Sequence, residues 1–404
     1  MNRRIYLLFF LLFPLAAVAG PYLRQAKENI KKGSNLEQTA QNLFAEALKP
    51  ETTIPDRVEC YRLAAECSKK LNAAENLKLY LHQPYDTVRF FSTVIDMYDR
   101  MFMADSVSMR PNERGKVKIL NRKQSRAWLM PYRSYIVAGG KWYYAKGRYA
   151  EAYNYLSRYI TVAQHPIFES EHLLQTDTLM PTVAYLAVAS AHETGNAQGV
   201  IRYAELAKKA NMQSDVIHEY TSRAWLSMGD TARWVKSLWQ GLNDYPSHPY
   251  FFTNLIDHLA ATQQLDLGLA VADSLTHREP AMPIFWYAKA SILMRQQREA
   301  DAIVACDSCL ARDPDYAEAL YTKGLAALNL AVIAEKQATT DLTAPNYQSE
   351  QDHIAALYRL AMQPMQRVRE LLPEAQERWV EPLYRIYLHL NMGAEFEEME
   401  SLLQ

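Results

Sequence analysis

The chain has 404 residues, with 44 lysines and arginines against 45 aspartates and glutamates, and a formal net charge of -1. That near balance excludes the strongly basic surface of a polyanion binder, and four cysteines are too few to staple a disulfide scaffold of this length. Only 13 glycines, together with long apolar stretches at helical spacing and no alternating runs, point to an all-α protein; its length points to two domains or an elongated repeat array.

Residues 1–19 read as an export signal: a basic tip at Arg3 and Arg4, an apolar run from Ile5 to Leu15, and the small-residue ending Ala17-Val18-Ala19. The run is short of the ~20 apolar residues that span a bilayer, and Pro14 interrupts it. The expectation is an exported chain starting at Gly20, periplasmic or extracellular. No cysteine follows to carry a lipid anchor, and no stable membrane insertion is expected after cleavage.

Residues 20–130 form a less regular helical region, with apolar periodicity over 36–48, 56–71, 86–104 and 114–138. The stretch "RPNERGKVKILNRKQSR" carries seven basic residues against Glu113 alone. It reads as a solvated linker entering a helix; contact with phosphate or an acidic partner is the weaker alternative, since no interleaved aromatics accompany the charges.

From about Pro131 a regular period appears. Pro246, Pro280 and Pro314 mark it by their equal spacing. Counting back from each proline, His218, Phe252 and Trp286 share one register, Leu238, Ala272 and Cys306 a second, and Gly241, Leu275 and Cys309 a third. Gly140, Tyr143, Gly147, Tyr149, Ala152 and Leu156 make an earlier unit, and Gly195 and Gly229 stand one period apart. This pattern resembles tetratricopeptide repeats, in which each unit of about 34 residues is a pair of antiparallel helices. The resemblance implies a right-handed α-solenoid over residues 131–404, with Trp286 filling the core of its repeat. It also places Cys306 and Cys309, a CxxC pair, where the second helix needs small apolar residues. Core packing is therefore the expected role of both thiols; a local disulfide and half of a zinc site are the alternatives.

Two departures from the period stand out. Gly147 and Gly195 lie farther apart than one repeat, and the excess falls in "HPIFESEHLLQTDTLMP", positions 165–181, a loop whose His165, Glu169 and His172 read as polar loop residues rather than ligands. Pro314 and Pro373 are farther apart still, which predicts an extended hairpin over residues 317–372. At 1.5 Å per residue, ~12 extra residues per helix would project it by ~18 Å. The closing segment, with Leu371, Leu372, Pro373, Trp379, Leu383, Tyr384, Ile386, Tyr387, Asn391, Gly393, Phe396 and Met399, is similar to the ends of exported tetratricopeptide proteins of the Gram-negative envelope. It reads as a capping helix pair.

No phosphate loop, nucleophile elbow or metal-spaced His and carboxylate set occurs, so neither catalysis nor a cofactor is expected. The leading functional reading is a non-enzymatic scaffold for a protein or peptide of the cell envelope, with no nucleic acid. A glycan-binding protein of the starch-utilisation type is the alternative, given 26 tyrosines and seven tryptophans, and an all-helical carbohydrate-active enzyme is third. The resemblance implies that first helices line a concave groove. Its expected lining is Lys141, Tyr144, Tyr185, Glu219, Arg223, Tyr250, Tyr287 and Tyr321.

Overall fold

The computed structural model describes residues 20–210 and 212–403. The export-signal expectation at residues 1–19 lies outside them. The described residues are helical and turn segments without strands. They fall into two compact units, one up to Trp234 and one from Val235.

The first unit opens with α1 (Gly20–Lys32), α2 (Leu36–Leu48), α3 (Ile54–Tyr80) and α4 (Thr87–Ser108). The starts of α3 and α4 have a local cause. Thr53 accepts a hydrogen bond from the Asp56 amide with Pro55 in the first turn, and Asp86 accepts one from the Arg89 amide at 2.9 Å. Phe90, Val94, Met97, Tyr98, Met101 and Ala104 recur at three- and four-residue spacing, so α4 turns one continuous apolar stripe inward. The helix expected over 114–138 is not continuous. An extended segment leads into α5 (Arg122–Leu129), Pro131 sits in a short 3-10 turn, and α6 (Arg133–Ala145) follows. Proline supplies no amide hydrogen, so the bonding pattern shifts to 3-10 at Pro131 although Met130 keeps helical dihedral angles, while the stretch before Arg122 is not helical at all.

α6 pairs with α7 (Tyr149–Val162). The segment expected as a polar loop at 165–181 is instead part of the core: a 3-10 turn over Pro166–Glu171, the short α8 (Leu173–Thr176), and the start of α9 (Met180–Glu193). Ile167, Phe168, Leu173 and Met180 are buried, and the Phe168 ring stacks on Tyr98 with centroids 6.1 Å apart. His165 stacks flat on Phe102 at 3.6 Å. Glu169 and His172 remain partly or fully exposed. Polar residues outnumber apolar ones in this stretch, but the four apolar side chains decide its placement, because their burial outweighs the surface preference of the rest. The first unit then runs through α10 (Ala197–Lys208) and α11 (Ser214–Ser227) into α12 (Thr231–Asp244), inside which the two units divide.

The second unit contains α13 (Pro249–Ala261), α14 (Leu265–Arg278), α15 (Pro283–Arg295), α16 (Glu299–Leu310), α17 (Ala317–Gln337), α18 (Tyr347–Leu371), α19 (Gln376–His389) and α20 (Gly393–Leu403). Here the period is visible in the backbone. First helices begin at 249, 283 and 317, and second helices at 265 and 299. Trp286 does not fill the core: Phe285 does, at 2% exposure, in an edge contact with Phe252 at 4.8 Å. Trp286 is half-buried, its indole N–H donating to the Pro280 carbonyl at 3.0 Å and the Arg312 guanidinium lying over its ring. A one-residue offset at the helix start turns Phe285 inward and Trp286 toward the rim.

The long hairpin has the expected helices, α17 and α18, but it is braced rather than free. Glu335, two residues from the end of α17, accepts a hydrogen bond from Tyr358 at 3.0 Å and meets His389 of α19 at 2.8 Å, while the His389 ring stacks on Tyr358. The tip around Leu342, 75% exposed, stands clear.

Candidate functional site

Three first helices of the first unit, α6, α9 and α11, follow one another in sequence order, each meeting the next directly or through the helix between them. Such adjacency places equivalent positions of successive first helices on one face. On it stand Tyr144 (α6), Tyr185 (α9) and Tyr220 (α11), all half-buried, joined by Tyr149 from the start of α7, whose ring meets Tyr144 edge-on at 5.3 Å. His192 lies flat on the Tyr220 ring at 3.8 Å, and the Tyr185 hydroxyl donates to the Gln213 side-chain oxygen.

The charge around these rings is acidic. Burial raises the Tyr144 pKa, and Tyr149, Tyr185 and Glu193 add to the shift. Burial does the same to Tyr220, assisted by Glu193, Tyr185, Tyr144 and Glu219. His192 is pushed down, first by burial. It is therefore a neutral stacking partner near pH 7 rather than a cation. Glu219 pairs with Arg223 one turn away at 2.6 Å, Arg223 being half exposed. The arrangement offers ring faces and edges, hydroxyls and carboxylates to a ligand.

The expected groove residues are thus divided between the units. Lys141, exposed, Tyr144, Tyr185, Glu219 and Arg223 belong to the first, where Tyr144, Tyr185 and Glu219 share the aromatic face. Tyr250 is corrected: it is 8% exposed, its ring edge-on to Phe251 at 5.5 Å, and it belongs to the core. In the second unit Tyr287 lies against Tyr316 at 5.3 Å, and Tyr321 sits beneath the Arg378 guanidinium. Sequence reasoning missed Tyr149, His192, Glu193 and Tyr220 as members of this face. Tyr149 reads in the sequence as a repeat-packing residue. The signal for the others was their nearness to expected lining residues, Tyr220 beside Glu219 and His192 two turns after Tyr185.

Cys306 and Cys309 lie in α16, both fully buried, and burial pushes each thiol up to about 12. Protonated and sealed, they act as small apolar fillers, neither nucleophile nor ligand. Cys60 and Cys67 of α3 are likewise buried and free. No cluster of histidine, cysteine or carboxylate able to hold a metal occurs among the described residues.

Backbone periodicity decides the fold. First helices that start at 249, 283 and 317, second helices that start at 265 and 299, and each helix packed on the next are the marks of one repeating unit. The chain folds as tetratricopeptide-type helix pairs. No family model matches it, and no curated protein does. Among solved structures it is similar to a TPR repeats protein from Bacteroides fragilis, at 14% identity over 67% of this chain and 98% of that one, with a TM-score of 0.31. It is similar also to the C-terminal part of a TPR repeat-containing protein from Cytophaga hutchinsonii, at 10% identity over 64% and 91%, with a TM-score of 0.42. A third is YrrB, described as a TPR protein with an unusual peptide-binding site, at 12% identity over 50% and 98%, with a TM-score of 0.34.

Proposed function

We propose that the chain is a non-enzymatic scaffold that holds a peptide or protein segment of the cell envelope on the first-helix face of its first unit. The observation that carries this is the run of Tyr144, Tyr149, Tyr185 and Tyr220 across three successive helix pairs, with Glu193 and Glu219 beside it. Partly exposed tyrosines supply large contact areas at little loss of side-chain freedom, which is why they dominate binding energy at interfaces. An extended segment crossing the helices would stack on successive rings and exchange hydrogen bonds with their hydroxyls. The envelope location rests on the signal-like residues 1–19.

The test is a triple change, Tyr144→Ala, Tyr185→Ala and Tyr220→Ala, in protein checked for unchanged helicity. The partner is one identified by crosslinking in intact cells. A hot-spot truncation costs ~2 kcal/mol or more, so the folded variant should bind that partner about thirtyfold more weakly or worse, the factor to which such a loss converts. Undiminished affinity would move the binding surface off this face.

A further inference from the structure

A second region of the first unit, remote in sequence from the aromatic face, is built as a cleft. The start of α3 and the extended segment 110–121 enclose about 340 Å³. That volume is within the ~300–1,000 Å³ of small-molecule pockets. Its apolar wall is Ile54, Pro55, Val58, Ile119 and Leu120, and four cations line it: Arg62, Arg110, Lys116 and Lys118. Glu59 is the one carboxylate among the lining residues, and it is already engaged by Arg62 and Lys27, each at 2.8 Å.

Segment 110–121 is held in place by its own chemistry. Asn112 accepts hydrogen bonds from the Arg114 and Lys116 amides at 3.0 Å, and the Leu120 amide donates to Ser108 Oγ at 2.9 Å. Five of the seven basic residues at positions 110–126 fall into two sets. Arg122 forms a fork on the fully buried Asp105, and Arg126 pairs with Glu171 at 2.7 Å, so these serve the fold. Arg110, Lys116 and Lys118 make no ion pair among the described residues, and all three are exposed. Between and after the lysines, Val117 and Ile119 are left 52% and 54% exposed. Unpaired cations standing over an apolar wall suit a ligand with a negative head and a hydrocarbon body.

We propose that this cleft binds a single anionic amphiphile, its carboxylate or phosphate head held by Arg110, Lys116 and Lys118 and its chain laid on Ile54, Val58, Ile119 and Leu120. A second cavity of about 280 Å³ shares Arg62, Leu120 and Asn121 with the first, but beyond them it is lined by Glu66, Gln124 and Ser125 as well as Met101 and Trp128, so the chain is assigned to the first cavity alone. The head would be drawn to the rim by charge and the tail kept by burial of apolar area, two contributions that can be measured apart.

The experiment is titration calorimetry of the full chain with dodecanoate and with dodecyltrimethylammonium, both below their micelle concentrations. It is joined by co-sedimentation with phosphatidylcholine vesicles with and without phosphatidylglycerol. Dodecanoate is expected to fill one site, and the cationic analogue to bind at least about tenfold more weakly. Changing Arg110→Glu, Lys116→Glu and Lys118→Glu together should weaken dodecanoate by about tenfold or more without altering the melting temperature. Ile119→Ser should weaken both amphiphiles. Equal binding of the two heads, full binding by the charge-reversed protein, or no binding of monomeric dodecanoate would each overturn the proposal. Binding to anionic vesicles without binding of the monomer would assign the cations to a bilayer surface and also overturn the cleft.

Discussion

Asp177 shows how one residue can fix a whole segment. It sits at 10% side-chain exposure, accepts a hydrogen bond from Tyr159 at 2.6 Å, pairs with Arg133, and also accepts from the Leu179 amide at the entry to α9. Burial works to raise its pKa, but the bonds from Tyr159 and Arg133 outweigh it and hold the carboxyl below its ordinary 3.8. A folded-state pKa below the unfolded one contributes stability that is present above about pH 4 and is lost as pH falls through the folded value. Asp177→Ala should therefore destabilise the protein by ~3 kcal/mol near pH 7, because Arg133 is left buried without its partner. The difference from wild type should shrink toward pH 3. A gap that stays constant from pH 7 to pH 3 in denaturant titrations would show that the charge is not the cause. The residue's importance was hidden in the sequence, where "QTDTLMP" reads as loop; only the fold brings Arg133 and Tyr159 to it.

At the scale of the element, the turn between the two helices of a repeat has one fixed demand. Gly147, Gly195 and Gly229 occupy it with φ of +69°, +66° and +75°. In the next two repeats the same register passes to Gln263 and Gln297, at φ of +60° and +58°. The glycine period was legible only as far as Gly229; the backbone period continues after the glycines stop. A side chain in the left-handed region costs ~1–2 kcal/mol. Gln263→Gly and Gln297→Gly should therefore each raise stability, by ~1 kcal/mol once the greater freedom of glycine in the unfolded chain is set against the relief. Unchanged or lowered unfolding midpoints would mean that these glutamine side chains make compensating contacts. Glycine at Gly241 answers a different need, since a Cβ there would fall into the Phe251 ring. Gly241→Ala should destabilise strongly, while Gly324→Ala, which meets the flexible Met365 side chain, should cost less. Helix pairs and their period were readable because packing imposes them on every unit. The offset that exchanged Trp286 for Phe285, and the burial of Tyr250, were not, because neighbouring large residues at a helix start give a sequence pattern that either can satisfy.

At the scale of the molecule, two compact units built of helix pairs make stability a local property. In repeat architectures each unit contacts its neighbours and few others, so a defect propagates by adjacency. Phe285 is the probe for the second unit: buried in α15 and packed edge-on to Phe252 of α13, it ties successive first helices together. Phe285→Ala should cost ~3–5 kcal/mol, the range for emptying a buried aromatic site. Half-buried Trp286→Ala should cost less. Hydrogen exchange followed by mass spectrometry reads where the loss falls. Faster exchange is expected in α13 to α17, with α1 to α9 unchanged, and Asp177→Ala should give the reverse pattern. Under native conditions such regional opening has its own free energy, below that of global unfolding. Uniform acceleration from α1 to α20 in either variant would mean that the two units unfold as one cooperative body, and that the aromatic face and the amphiphile cleft are stabilised by the whole chain rather than by the unit that contains them.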